Sequence, residues 1–467
     1  MCYKKSLFLL FLCSLSLTAA ADDYTIYSDG SSLTKGTATS VLNVYMKNVE
    51  TISALQFDMS LPEGVDVFYG ENEDEDMVYF INKGERAKTD HTASYNKLGE
   101  RKFRVMVSSP TNSTFKETEA NKTKPIVVIT LDVASDAQCG ARDVVIENVV
   151  LSHYDAESRA TQPYYPTATT SAIIIKPVTG SNVSESGNVL SIATADGTKL
   201  DAASYTSLTN GKSDAVIDLR ATELADAFTV SNLKSAGASL YYLPSGSTLT
   251  GEYIIVNKQC SNYVIYDEKG AIIPSSFRAS TATYTRAAGN AWGTICLPFA
   301  VASDSKVQYY TLETGGVDLA NGKLTFTEAS TVPAGTPAVF CRTEGESLSV
   351  SASNVEVKAG AAGQYSGGLQ MLGTYEPTTI TGDNYFIAED AFWKAETDEI
   401  SIPAFRAYFK GMSSEVKNFS ISLDNETGLK TVSVEMDKDA IYDLMGRNLL
   451  KVQKGINIVN GKKILVK

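Results

Sequence analysis

Apolar and polar residues alternate with a period of two along most of this chain. In ISALQFDMSLP, Leu55, Phe57, Met59 and Leu61 fall on one side, while Gln56, Asp58 and Ser60 fall on the other. Phe103, Val105 and Val107 repeat the pattern, as do Val127, Ile129, Leu131 and Val133. Successive side chains of a strand face opposite ways, so each segment is a strand with one apolar face. A second sheet must cover that face. Helical periodicity is scarce. The pattern predicts an all-β fold: several β-sandwich domains in series, followed by a small C-terminal β-hairpin domain.

The first sandwich is expected over residues 22–177. A polar stretch then leads into 178–278, where the bursts NVLSIAT, AVIDLRATEL and ASLYYLPSG are separated by Gly, Asn and Ser. Bursts this short predict a small irregular β layer or a solenoid turn. Residues 279–423 return to longer strands. The last stretch, 424–467, reads as two hairpins. One turns at Met445-Gly446-Arg447-Asn448, and the other at Asn460-Gly461, a two-residue type I′ signal.

The N-terminus breaks the alternation. Lys4 and Lys5 precede an apolar run from Leu7 to Leu17, then Ala19, Ala20 and Ala21. A basic start, a run too short to span a bilayer and a small-residue site predict a signal peptide over 1–21. No later run reaches the ~18 apolar residues of a membrane span, so none is expected after signal cleavage. The charge fits export to a watery surface. Lys and Arg number 41 against 54 Asp and Glu, a net −13, and loss of Lys4 and Lys5 makes it more negative. That sign opposes nucleic acid and anionic membranes as partners.

Export permits disulfides. Of six cysteines, Cys139, Cys260, Cys296 and Cys341 lie beyond the signal. Cys296 in TICLPF and Cys341 in AVFCRT sit among apolar strand residues. They read either as buried thiols or as a disulfide pair.

Reactive chemistry is sparse. The two histidines, His91 and His153, read as surface residues. Neither accompanies a G-x-S-x-G nucleophile or a metal-ligand spacing. The expectation is a protein that is not an enzyme, with no catalytic residues and no cofactor, although a carboxylate pair for glycoside chemistry is not excluded by residue types. The run ENEDED is a solvated loop or a weak calcium site formed by Glu71, Glu73, Asp74 and Asp76. Paired tyrosines 164–165, 241–242 and 309–310 offer at most one ring each to a sugar. Trp292, Leu297, Phe299, Trp393, Phe405 and Tyr408 read as core or hairpin-packing residues, with Trp393 a weaker candidate for stacking on a glycan. No residue marks the ligand.

Three segments resemble known families. LNVYMKNVETISALQFDMSLPEGVDV, FRVMVSS, KPIVVITLDV and DVVIENVVLS follow the strand order of cohesin-like sandwiches, a superfamily that includes carbohydrate-binding modules. That resemblance implies either a protein partner or a polysaccharide ligand. ATYTRAAGNAWGTICLPFAV, with the flanking text of roughly 240–423, resembles a recurrent module of large secreted bacterial surface proteins. The tail resembles a type IX secretion C-terminal sorting domain. Its marks fall on Tyr442, Asp443, Gly446 and Arg447, on Gly455, and on Lys463, Val466 and Lys467. These resemblances imply an extracellular or outer-membrane location on a Gram-negative cell and the secretion machinery as a further partner. The expected function is binding of a glycan or an extracellular protein through the first sandwich, with a scaffold or adhesin as the alternative.

Overall fold

The computed structural model describes residues 24–411, except 156–159, 268, 288–291, 319–322, 343–346, 367 and 389–390, together with five strands between 420 and 466. The signal segment 1–21 lies outside the described residues. Two compact units divide the chain, Met1–Thr248 and Leu249–Lys467.

The first unit begins with β1 (Tyr24–Ser28), β2 (Ser32–Thr34), β3 (Ser40–Asn48), β4 (Ala54–Ser60) and β5 (Val65–Val67). Next come β6 (Tyr69–Glu71), β7 (Met77–Tyr79), β8 (Ile81–Lys83), β9 (Thr92–Gly99) and β10 (Lys102–Ser108). They are followed by β11 (Val127–Val133), β12 (Gly140–Asp155), β13 (Ala160–Tyr164) and β14 (Thr169–Lys176). One sheet runs β1-β3-β11-β5, with β8 also on β11. The other runs β2-β14-β12-β4-β10-β9, with β13 on β12. A separate ribbon pairs β6 with β7.

The two sheets form a sandwich because each turns its alternate apolar residues inward. Leu42, Val44, Ile129 and Leu131 from one sheet share a core with Phe57, Met59, Phe103, Val105 and Val107 from the other. Leu55 and Leu61 are buried as the alternation predicts. Asp58 is on the opposite, polar face, yet it is only 1% exposed. Arg104 closes over it, donating from Nε and Nη2 to the two carboxylate oxygens at 2.6 and 2.8 Å. The β12 register slips between Glu147 and Val150, and Asn148 there takes a φ of 51°. That bulge swings the Asn148 amide onto Asp58, where Nδ2 donates at 2.9 Å.

After an antiparallel pair, Ser181–Ser186 with Val189–Thr194, the rest of the first unit is built from parallel pairs. Val189–Thr194 lies beside Val216–Ala221, and that strand lies beside Leu240–Tyr242, in register Val189, Val216, Leu240. Short helices, Ala202–Leu208 and Val230–Lys234, occupy the returns. These are solenoid-like turns, in which each crossover stacks its strand parallel to the last. Tyr241 and Tyr242 are both buried, since this layer is covered on both faces and strand alternation gives neither ring to solvent. Ala193 and Ala221 join the sandwich core.

The second unit holds two five-stranded sheets. One runs Trp292–Ile295, Ala338–Arg342, Val307–Asp318, Lys323–Ala329 and Ser420–Asp424. The other runs Gly363–Ser366, Leu369–Thr374, Arg406–Lys410, Thr378–Ala388 and Ala391–Ile402. Phe326, Leu324 and Val339 of the first pack on Met371, Tyr385 and Phe409 of the second. The protein is therefore all-β.

The disulfide candidate is corrected by this geometry. Trp292 pairs with Cys341 and Ile295 with Ala338, so Cys296 sits four positions from Cys341 along the ladder. At ~3.3 Å per residue that is roughly 13 Å, about twice the Cα separation a disulfide spans. Cys139, Cys260, Cys296 and Cys341 are all free thiols. Cys296 instead donates to the Gly335 carbonyl at 3.3 Å, and its burial pushes the thiol pKa up to about 12.

In the tail, Ile441–Asp443 pairs with Asn448–Leu449, and Gly455–Val459 pairs with Lys462–Val466. Tyr442, Asp443, Gly455, Lys463 and Val466 fall on these strands. Gly446, Arg447 and Lys467 lie outside the described residues.

Candidate functional site

The most conspicuous exposed cluster belongs to the β6–β7 ribbon and the β9 strand beside it. Tyr69 faces Tyr79 across the ribbon, and Glu71 faces Met77, so these four side chains share one face. The opposite face is closed. Phe68 and Phe80 meet there with ring centroids 5.3 Å apart, over Gly70, where a Cβ would come within 2.7 Å of the Phe68 ring. Glycine at 70 lets the rings lie against the backbone. The base of the ribbon is tied to the sandwich through β11. Phe68 N–H donates to the Thr130 carbonyl at 2.8 Å, and Thr130 N–H donates to the Phe80 carbonyl at 2.9 Å.

Tyr79 is the hub. Its ring lies 4.7 Å from Tyr69, 5.0 Å from Phe103 and 5.9 Å from Tyr95, the last two edge to face. Its backbone N–H donates to the Tyr95 hydroxyl at 2.9 Å. Lys97 on β9 puts its Nζ 4.7 Å from the Tyr79 ring centroid and 5.2 Å from that of Phe103. The same ammonium donates to Tyr79 Oη at 2.9 Å and lies 3.6 Å from Asp66. The hydrogen bond to Tyr79, with the Asp66 charge behind it, holds Lys97 above the ordinary lysine range. On the ribbon beside this ordered centre, Tyr69 and Met77 stand 52 and 50% exposed, and on β9 Leu98, the residue after Lys97, is 41% exposed. Strand β9 ends its sheet. An apolar patch beside a terminal strand is suited to holding a partner by strand addition and side-chain contact.

The calcium candidates lie at the tip of this ribbon, and the structure does not gather them. Asn72 Oδ1 accepts the backbone N–H groups of Asp74 and Asp76 at 3.0 and 2.8 Å. Glu75 takes a φ of 64°. The turn is thus made by an asparagine side chain, which leaves Glu71, Glu73, Asp74 and Asp76 spread along the hairpin. Among the described residues no three His, Cys, Asp or Glu side chains converge as a metal site.

His91 is also corrected. It is 1% exposed, with its ring centroid 4.2 Å from that of Phe115. Lys88 N–H donates to its Nδ1 at 2.9 Å, and Nε2 is buried without a hydrogen-bond partner. Burial lowers its pKa. The neighbouring Asp90 accepts from Ser109 and Thr111. His153 is half-buried, with Nδ1 2.6 Å from the Thr51 carbonyl and Nε2 3.6 Å from Glu50. Of the core or hairpin-packing candidates, Leu297, Phe299 and Phe405 are core residues, while Trp393 is 46% exposed and donates from Nε1 to the Ala388 carbonyl at 2.9 Å.

Sequence reasoning singled out the acidic tip and passed over its flanks. The signal was the near-mirror FYG…VYF on either side of ENEDED, which brings Tyr69 opposite Tyr79 once the run between them turns.

No protein-family model matches the chain, and no curated protein matches it. Among solved structures, it is similar to a non-cellulosomal cohesin from the hyperthermophilic archaeon Archaeoglobus fulgidus. The match is 12% identical and covers 32% of this chain and 91% of that one, with a TM-score of 0.23.

Proposed function

We propose that this is an exported, non-catalytic binding protein whose N-terminal sandwich holds an extracellular protein partner at the β6–β7 ribbon and the β9 edge. The observation that carries the reading is the exposed pair Tyr69 and Met77 beside the ordered Tyr79–Lys97 centre, with Leu98 exposed on the adjoining β9 edge. Aromatic and Met side chains are the ones protein interfaces enrich, and an ordered centre lowers the entropy cost of binding. A glycan platform is less well supported, because the Tyr69 and Tyr79 rings are inclined by 42° and Lys97 lies against Tyr79. Such binding needs no cofactor. The signal-like N-terminus and the sorting-like tail support release to the cell surface through a type IX route.

A photo-crosslinking amino acid placed at Met77 or Leu98 of the full chain, expressed in the cells that produce it, tests the site. A discrete protein adduct from both positions, missing from a control at Tyr165 on β-strand-flanking surface elsewhere, is the expected result. Equal labelling at all three positions defeats the site, and specific retention on a glycan array shifts the ligand to carbohydrate. Mass spectrometry of the surface and medium fractions tests export: the expected N-terminus lies near Asp22, and an uncleaved chain confined to the cytosol defeats it.

A further inference from the structure

A cavity of about 340 Å³ opens in the second unit, lined by none of the residues discussed as a partner site. Its polar wall is Arg286 and Arg406, and its apolar wall includes Trp292, Phe386 and Ile387. Arg286 is 6% exposed. Its guanidinium lies 4.7 Å from the Phe340 ring centroid and donates from Nη1 to the Thr294 carbonyl at 3.2 Å. Gly293 closes the other side: a Cβ there would come within 2.9 Å of both Arg286 Nη2 and the Phe340 ring. The arginine is pinned flat before anything binds.

The charges in this wall do not balance. Arg406 donates from Nη1 and Nη2 to the two oxygens of Asp267 at 2.7 and 2.8 Å, and Tyr284 also donates to that carboxylate. Asp267 is thereby engaged. Among the described residues no carboxylate lies within ion-pair distance of Arg286, and Asp267 is the acid that acts on it from further off. Counted over the described residues, two guanidiniums and one carboxylate leave one positive charge at the cavity. Burial, then the charge of Arg406, lowers the Arg286 pKa to about 10, so it stays cationic at neutral pH.

We propose that this cavity binds a small monocarboxylate with an apolar or ring-bearing body. The carboxylate would approach the Arg286 guanidinium from the cavity, since its planar donors match two oxygens. The body would lie against Trp292 and Phe386. A single negative charge offsets the single excess positive one, and the volume is at the small end of ligand pockets, which begin at ~300 Å³.

Benzoate is the probe, with benzyl alcohol as its neutral counterpart, titrated into the full chain and followed by ligand-observed NMR and calorimetry. Benzoate is expected to bind and benzyl alcohol to bind at least about tenfold more weakly, a factor of ~1.4 kcal/mol. Arg286→Gln should remove that preference. Because Arg286 is buried and its loss can unfold the unit, Ala287→Trp is the second variant. Ala287 lines the cavity with its side chain exposed, so the indole should block entry while the melting temperature stays put. Equal affinity for benzoate and benzyl alcohol overturns the proposal. So does absence of benzoate binding up to about 10 mM, roughly −2.7 kcal/mol, or undiminished binding in a folded Arg286→Gln or Ala287→Trp chain.

Discussion

At the residue scale, several positions are decided by close approach. Gly373 is one: a Cβ would come within 2.3 Å of Cys296 Sγ, and Cys296 is fully buried. Gly373→Ala should cost about 1–3 kcal/mol by overpacking. Cys296→Ala in the same chain should return part of that loss, and a urea midpoint for each variant checks both statements. His91 gives a pH effect. Its folded pKa is depressed by burial, so below the ordinary histidine value of ~6.5 the unfolded chain takes up the proton first. The stability that neutral His91 contributes is complete above that value and is lost as pH falls toward the folded pKa. Unfolding free energy should therefore decline from pH 7 to pH 5 in the native chain and decline less in His91→Gln. Equal slopes would count against the buried neutral imidazole.

Elements respond according to which face a side chain occupies. On the β6–β7 ribbon, Tyr69 is 52% exposed, whereas Tyr79 meets four neighbours and takes the Lys97 hydrogen bond. Tyr69→Ala should leave stability within about 0.5 kcal/mol, and Tyr79→Ala should cost about 1–3 kcal/mol. Thermal melts separate the two. The strand register makes a second prediction. With Trp292 opposite Cys341, alkylation of the denatured, unreduced chain should modify Cys139, Cys260, Cys296 and Cys341 alike. A peptide cross-linked through Cys296 and Cys341 would mean that the Trp292–Ile295 ladder has a different register.

For the whole molecule, acid is the destabilising direction. Asp58 is held below the usual carboxylate range by its hydrogen bond to Arg104, against the opposing effect of burial. Asp267 is also depressed: burial raises it, but Arg406 and Tyr284 together outweigh that. Depressed carboxylates stabilise the fold above their unfolded pKa of ~3.9 and lose that contribution as pH falls through the folded value. The first unit carries Asp58 and the second carries Asp267, so both should weaken below about pH 4. Asp58→Asn should flatten the acid limb of the first unit. Circular dichroism between pH 5 and pH 2 reads this out, and an unchanged limb would contradict the role of the Asp58–Arg104 pair.

Much of this was legible in the order of residues alone. Alternation is a local property with a period of two, so Leu55, Phe57 and Met59 announce a strand and its buried side without reference to anything distant. What the linear order could not convey depends on residues far apart in the chain. Asp58 is buried because a bulge ninety residues later carries Asn148 onto it. His91 is buried because Phe115 covers it. The thiols at 296 and 341 stay apart because of a ladder register. The solenoid-like turns stack in parallel, which requires crossovers that no short pattern reveals. Tertiary structure alone brought Arg286, Gly293 and Phe340 together, since packing and charge balance are sums over neighbours in space, and the chain sets those neighbours only by folding.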